Sequence, residues 1–189
     1  MGQNNNLIKY KIMKKIISFF TLVTSIFLFS QEKEFSITKE KGLTDYIVTD
    51  VTGKTASEIY NKTLEWINRT YKNPDKVILS KIENNYIRIE GASNNIYVLN
   101  ALGSENPTDS KYQLEISFKD GKYKLDIIEL KYLAPQVGWT NIPFDFFYKK
   151  DGELKSMFKF TNKIPTYFNS LNKNLYNYIS GTGSKNDNW

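Results

Sequence analysis

The sequence predicts an α+β domain, in which an antiparallel sheet of about five to six strands has helices packed on one face. Apolar residues recur with a helical period over 55–71 and again over 165–179. Between these two segments, apolar and polar side chains alternate with the period of two that is typical of strands. Asp120-Gly121 lies inside the alternating region and is a strong hairpin signal. The predicted order along the chain is β-α-β-β-β-β-α.

The chain opens with a short basic segment followed by an apolar one. Met13-Lys14-Lys15 precedes an uncharged run over 16–29, and Ser30 is a small residue at the position of a cleavage site. This pattern is typical of a signal peptide. A membrane-spanning helix needs about 20 residues, so the apolar run is short for a retained anchor helix, which is the alternative interpretation. We therefore predict a signal peptide over 13–30.

The remaining boundaries follow from this interpretation. Residues 1–12 precede the better start at Met13, and we interpret them as an upstream extension. Residues 31–42 are mostly charged and polar, which predicts a linker, and a single domain is expected over 43–180. Residues 181–189 are polar apart from the final tryptophan, which predicts a flexible tail. The expected destination is the periplasm, the outer surface or the medium of a Gram-negative bacterium.

The first strand is predicted over 43–51 and the first helix over 55–71. Thr55 and Glu58 have the spacing of a capping box, in which each side chain satisfies a backbone N–H of the first helical turn. Pro74 follows the helix and favours its end. The helix has one apolar face, formed by Ala56, Ile59, Tyr60, Thr63, Leu64, Trp66, Ile67 and Tyr71.

A run of strands follows this helix. The predicted strands cover 77–82, 86–92, 96–102, 111–119 and 122–132. Turns are predicted over 83–85 and 93–95, and a loop over 103–110, because these segments are rich in Asn, Ser, Gly and Pro. In the last strand the apolar phase shifts by one residue at Ile127-Ile128, which predicts a β-bulge.

The C-terminal third begins with an irregular aromatic segment over 134–148 and ends with a helix over 165–179. Proline is compatible with the first helical turn, where Pro165 lies. The apolar stripe of this helix consists of Phe168, Leu171, Leu175, Tyr178 and Ile179. The two helices therefore each present one face to the predicted sheet.

Three segments resemble a known family. They are the helix residues 56–60 and 64–67, the strand end Ile89-Glu90-Gly91, and the hairpin over 118–123. Together they resemble the bacterial domain-of-unknown-function family with a TBP-like fold that occurs in exported proteins of Bacteroidota. The resemblance spans roughly 43–133. It implies a helix-backed antiparallel sheet and an exported setting, and it implies no activity.

The composition limits the chemistry that this domain offers. The chain has no cysteine and no histidine, so it lacks thiolates, disulfides, a lipoprotein attachment residue and the commonest zinc ligand. The formal net charge is +6, but four of the 26 basic residues and no acidic residue precede Gln31. The remainder carries 22 basic and 20 acidic residues, interspersed, so the charge gives little support to nucleic-acid binding.

The densest aromatic cluster lies between Tyr132 and Tyr148 and contains Trp139. One interpretation is a loop that folds over the sheet and completes the core, because aromatic side chains dominate core energetics. The other is a stacking surface for a sugar or peptide. If the domain binds a ligand through a loop, we expect Trp139, Tyr132 and Tyr148 to contact it.

These observations predict a non-catalytic module of the cell envelope. The expected partner is an envelope protein or a cell-surface component. We expect no catalytic residues, no metal, no cofactor, no nucleic acid, and no stable membrane span once the leader is removed. The alternative is a carboxylate-dependent enzyme acting on glycans or peptides, which requires Asp126 or Glu129 in a cleft beside Trp139.

Overall fold

The structure is a computed structural model that describes residues 34–182. A six-stranded antiparallel sheet forms the centre of this part of the chain. Its strands are β3 (Tyr46–Asp50), β4 (Ile78–Ile82), β5 (Tyr86–Ala101), β6 (Ser104–Lys119), β7 (Lys122–Ala134) and β8 (Gly138–Asn141). They follow a two-stranded hairpin formed by β1 (Ile37–Thr38) and β2 (Gly42–Leu43). The strand order is β3-β7-β6-β5-β4, and β8 also pairs with β7. The predicted α+β class with an antiparallel sheet is confirmed.

The helices are α1 (Ala56–Thr70), the single turn α2 (Pro74–Val77) and α3 (Lys163–Ser180). Two 3₁₀ turns lie between β8 and α3, at Phe144–Phe146 and Ser156–Phe158. None of the helices within residues 34–182 is long and apolar enough to cross a membrane. The predicted upstream extension over 1–12, the signal peptide over 13–30 and most of the tail over 181–189 lie outside the described residues.

The predicted capping box starts α1. The Glu58 N–H donates to Thr55 Oγ1 over 3.2 Å, and the Thr55 N–H donates to Glu58 Oε2 over 2.7 Å. The hydrogen bond from the Thr55 backbone lowers the pKa of the Glu58 carboxyl. The Ala56 N–H donates to Asp120 Oδ1 over 2.8 Å, so the β6–β7 turn also caps the helix.

The core lies between the sheet and the two long helices. Trp66 is buried at 2% exposure, and its Nε1 donates to Asn174 Oδ1 over 2.6 Å, which ties α1 to α3. On the sheet side, Tyr123 donates its hydroxyl to Asn172 Oδ1 over 2.7 Å. The alternating apolar residues of β6 are all buried, namely Tyr112, Leu114, Ile116 and Phe118. Burial of this apolar surface is the main stabilising contribution to the fold.

The predicted turn over 93–95 and the predicted loop over 103–110 are wrong. β5 runs without interruption through the first segment, where the pairing with β6 shifts register between Ser93 and Tyr97. β6 includes almost all of the second segment, and the connection is made at Leu102-Gly103, where φ is 52° and 93°. Polar residues typical of turns are held here by contacts with residues 156–163, such as the 2.7 Å salt bridge from Lys163 to Glu105.

The predicted β-bulge in β7 is confirmed. Gln113 pairs with Glu129 and Leu114 pairs with Ile127, so Ile128 is the extra residue. The bulge restores the alternation after the phase shift. Leu130 therefore faces the core, as Leu125 does, and Glu129 faces the opposite side of the sheet.

The structure differs from the linker predicted over 31–42. From Glu34 onward this segment packs against the domain, and Phe35 is buried at 2% exposure. The Phe35 N–H donates to Asn169 Oδ1 over 2.8 Å, and Asn169 Nδ2 donates to the Phe35 carbonyl over 3.0 Å. One apolar side chain and two backbone hydrogen bonds therefore attach a charged segment to α3, so packed structure begins before residue 43.

Candidate binding site on the open face of the sheet

One face of the main sheet is turned away from α1 and α3 and is called the open face here. It carries charged residues in neighbouring strands, namely Arg88, Glu90, Lys111, Glu115, Lys124, Asp126, Glu129 and Lys131. Several of these form ion pairs. Arg88 Nη2 lies 2.8 Å from Glu115 Oε2 across two strands. Within β7, Lys124 pairs with Asp126 and Lys131 pairs with Glu129.

Two of these ion pairs raise the pKa of the cation that they contain. The hydrogen bond to Glu115 raises the pKa of Arg88, and the hydrogen bond to Asp126 raises the pKa of Lys124. Each ion pair therefore favours the charged form of its cation. Over much of the open face, each positive charge is thus neutralised by a neighbouring carboxylate.

Trp139 is the large aromatic side chain of this face. It lies on β8 directly opposite Leu133 of β7, and 45% of the side chain is exposed. Because Leu133 follows Tyr132, the two point to opposite sides of the strand, and Trp139 shares the side of Leu133. Lys111 Nζ lies 4.9 Å from the centre of the indole ring, within the range of a cation–π interaction.

A cleft of about 510 Å³ lies beside Trp139, and we call it the Trp139 cleft. Its charged lining residues come from the connection after α1, from α2, from β5 and from β6: Lys72, Lys76, Glu90 and Lys111. Gly91, which has no side chain, and Ala92, which has only a methyl group, line the cleft from β5. The cleft opens where β4 ends, because the pairing of β4 with β5 reaches only Ile89. Its volume is in the range of small-molecule binding sites.

The other two predicted site residues lie elsewhere. Tyr132 is on the covered side of β7, and its ring centre lies 4.8 Å from that of the buried Tyr97. Tyr148 is half-buried and forms an isolated β-bridge with Leu154. Between them along the chain, Phe147 is fully buried and stacks on Phe158. Most of the aromatic segment thus completes the core, and Trp139 is separated from Tyr132 and Tyr148.

The comparison with known families bears on this architecture. Residues 46–133 match the model of a family described as a domain of unknown function (DUF4468) with TBP-like fold. Those residues are similar to that family. The match confirms the resemblance to a Bacteroidota-type family of unknown function. It includes Lys72, Lys76, Glu90 and Lys111 and ends before Trp139.

Two solved structures have the same fold. A crystal structure of a DUF4468 family protein from Bacteroides ovatus is 15% identical, with a TM-score of 0.59 over 77% of this chain and 88% of that chain. A TBP-like protein from Parabacteroides distasonis is 14% identical, with a TM-score of 0.51 over 71% of this chain and 90% of that chain. At these identities the likeness shows the fold alone. No curated protein matches the chain.

The carboxylates considered for an enzyme do not lie together with Trp139. The bulge places Asp126 and Glu129 on the same face, since Asp126 pairs with Glu115 and Glu129 with Gln113. Glu129, however, lines a different cleft, of about 520 Å³, between β3 and β8. The Trp139 cleft contains neither carboxylate. Within residues 34–182, no group of three or more acidic side chains could hold a metal ion.

A chain of tyrosine hydroxyls lies next to the Trp139 cleft. Tyr71 lines the cleft, and its hydroxyl is 3.0 Å from that of Tyr112, which is 3.2 Å from that of Tyr167. Burial raises the pKa of Tyr71 to about 12 and also raises the pKa of Tyr112. The hydroxyls of Tyr71 and Tyr112 are therefore neutral at physiological pH. Their hydrogen bonds connect the wall of the cleft with the core.

Sequence reasoning missed the lysines of the cleft. Lys111 begins the predicted strand over 111–119, but nothing in the sequence places it near Trp139, because the pairing of β8 with β7 is not predicted. Lys72 precedes the unpredicted turn α2, and Lys76 lies within it. The available signal was the cluster of three lysines over 72–81, which, taken alone, is equally typical of a solvated surface.

Proposed function

We propose that this protein is an exported, non-catalytic binding module of the cell envelope, and that it holds an envelope component at the Trp139 cleft. One observation carries the proposal: a half-exposed tryptophan borders a cleft whose lysines have no acidic partner. Among the described residues, Lys72, Lys76 and Lys111 form no salt bridge, whereas Arg88, Lys124 and Lys131 of the open face do. Exposed aromatic residues beside unpaired charge favour recognition of a ligand.

The exported setting rests on the leader pattern over 13–30. The non-catalytic role is supported by the residues available, because the chain has no histidine or cysteine. It is also supported by Asp126 and Glu129, each of which is paired with a lysine. The position of Glu129, in a cleft separate from Trp139, gives no support to the alternative of a carboxylate-dependent enzyme.

The test uses the full chain, tagged at its C-terminus, in its own host. After mild cross-linking, the protein is isolated from the envelope, and mass spectrometry identifies its N-terminal peptide and its companions. Trp139→Ala is compared with Phe146→Ala. Phe146 is a matched control because it is exposed and lies under Lys155 Nζ, at 3.3 Å, outside the Trp139 cleft.

We expect a chain that begins at Gln31 and an envelope companion that is lost in Trp139→Ala and kept in Phe146→Ala. A cytoplasmic chain with an intact leader would overturn the exported setting. Companions that are the same in all three proteins would overturn the assignment of the site. Turnover of a glycan or peptide by the purified protein, abolished by Asp126→Asn or Glu129→Gln, would replace the proposal with the enzyme alternative.

A further inference from the structure

We infer that the Trp139 cleft takes a sugar ring that carries a carboxylate, as a unit of an acidic polysaccharide. The inference rests on the proposed function and specifies the chemistry of its ligand. Three properties of the cleft carry it: an aromatic surface, an excess of unpaired positive charge, and room above β5 for a single ring.

The aromatic surface is the indole of Trp139. Trp139 is 45% exposed and lines the cleft, so part of its ring is accessible to a ligand. The C–H groups on one side of a pyranose ring carry partial positive charge, and the negative face of an aromatic ring attracts them. Lys111 Nζ, 4.9 Å from the ring centre, places a cation where a substituent of a stacked sugar would lie.

The charge of the cleft is positive. Lys72, Lys76 and Lys111 line it together with one acidic residue, Glu90. Glu90 accepts a hydrogen bond from Gln113 Nε2 over 3.2 Å, and the three lysines form no salt bridge within residues 34–182. A carboxylate on the ligand would gain charge-assisted hydrogen bonds that the protein does not already make. A neutral sugar would form no ion pair with these lysines.

The room comes from a small residue of β5. Ala92 pairs directly with Lys111 and shares its face, so no large side chain fills the space beside the lysine. The cleft measures about 510 Å³. This volume suits a sugar ring that carries a carboxylate.

The charge pattern around the cleft argues against an extended polyanion such as single-stranded nucleic acid. A nucleic-acid strand carries a phosphate at every nucleotide and requires a groove of continuous positive charge. Away from the cleft, the open face alternates in sign, with Glu129, Asp126 and Glu115 beside Lys131, Lys124 and Arg88. A phosphate backbone crossing this face would meet as many carboxylates as cations. A ligand with one carboxylate per ring avoids this repulsion.

The experiment compares a charged probe with a neutral one. The full-length tagged protein, purified from its host, is titrated with trigalacturonate and with its trimethyl ester, in which a methyl group neutralises each carboxylate, and binding is measured by calorimetry. We expect the acid to bind roughly tenfold more tightly than the ester, the effect of about one charge-assisted hydrogen bond. Trp139→Ala should abolish the binding of both sugars, and Phe146→Ala should leave both unchanged.

A charge variant of the cleft is paired with a charge variant outside it. Lys76→Glu should weaken binding of the acid by at least about tenfold and leave the ester almost unchanged. Lys81→Glu is the control, because Lys81 is exposed on β4 and does not line the cleft. Ala92→Phe fills the cleft without changing its charge and should weaken both sugars.

Each other outcome contradicts the inference in a distinguishable way. Equal affinity for acid and ester would overturn the acidic ligand and leave binding at the cleft intact. No binding of either sugar, with envelope companions still lost in Trp139→Ala, would overturn the sugar while the proposed function stands. Tighter binding of a thymidine oligonucleotide, sensitive to Lys76→Glu, would assign the site to nucleic acid. If Lys76→Glu and Lys81→Glu lowered the affinity for the acidic sugar equally, the binding would be explained by non-specific charge attraction.

Discussion

The ring of Tyr112 occupies the space that a side chain on Gly91 would need. The two residues pair directly across β5 and β6, and a Cβ placed on Gly91 would lie 2.3 Å from both Cζ and Oη of Tyr112. Tyr112 is buried, and its hydroxyl contacts those of Tyr71 and Tyr167. The ring therefore has little freedom to move. This contact gives a physical reason for glycine in the Ile89-Glu90-Gly91 segment that carries the family resemblance.

The first prediction concerns this contact. Gly91→Ala should lower the free energy of unfolding by about 1–3 kcal/mol, because overpacking forces a buried side chain away from its preferred position. Urea unfolding followed by circular dichroism measures the change. In a Tyr112→Leu background the same substitution should cost clearly less, since the ring is gone. Equal costs in the two backgrounds would show that the clash is not the cause.

The second prediction concerns alkaline pH and Tyr71. The pKa of Tyr71 is raised to about 12 in the folded protein, against an ordinary value of about 10 in the unfolded chain. Its contribution to stability is therefore fully present below about pH 10 and is lost as the pH rises toward 12. Tyr71→Phe should lose less stability than the parent protein between pH 9 and pH 11.

The measurement for Tyr71 is the urea midpoint at several pH values. Tyr86→Phe serves as the control, because Tyr86 is a half-buried tyrosine on β5 that lies outside the Tyr71–Tyr112–Tyr167 chain. If Tyr71→Phe and the parent protein fall in parallel over this range, the buried hydroxyl is not linked to folding.

The third prediction concerns the β-bulge. Deleting Ile128 removes the extra residue and leaves Leu130 facing the core, because the residues on each side keep their present partners. The protein without Ile128 should still unfold cooperatively on heating, at a lower midpoint temperature. The protein without Lys131 should show no cooperative unfolding, because Tyr132 and Ala134 would then turn to the open face. A protein that tolerates both deletions equally would contradict the assigned register.

The fourth prediction concerns the cross-strand ion pair. Arg88 and Glu115 lie 2.8 Å apart, with 41% and 22% of their side chains exposed. A double-mutant cycle with Arg88→Gln and Glu115→Gln should give only a small coupling, because exposed ion pairs contribute little to stability. The coupling should fall further in 1 M salt, where screening acts over about 3 Å. A large coupling that resists salt would mean that the pair is effectively buried.

Local signals account for the parts of the fold that could be predicted. The capping box at Thr55 and Glu58, the alternation of β6 and the Asp120-Gly121 turn each involve residues close in sequence, and all three are found. The bulge at Ile128 was also visible, because a phase shift in an apolar pattern is a local property.

The parts that could not be predicted depend on distant contacts. Polar residues over 93–95 and 103–110 have the composition of turns, yet they belong to long strands held by residues 156–163. The four residues of β8 give no strand signal of their own, and their pairing with β7 brings Trp139 over Lys111. The same pairing separates Trp139 from Tyr132, which sequence reasoning had grouped together.

Asp120 connects the hairpin turn with the start of α1, and this has a consequence for the order of folding. The β6–β7 hairpin closes a short loop, an event of microseconds, whereas the bond from the Ala56 N–H to Asp120 spans 64 residues. The helix therefore obtains its second cap only after the hairpin is in place. We expect the Thr55 cap to be formed already in the folding transition state. The contact with Asp120 should form only after the transition state. Substitutions at Asp120 that preserve the turn should mainly accelerate unfolding.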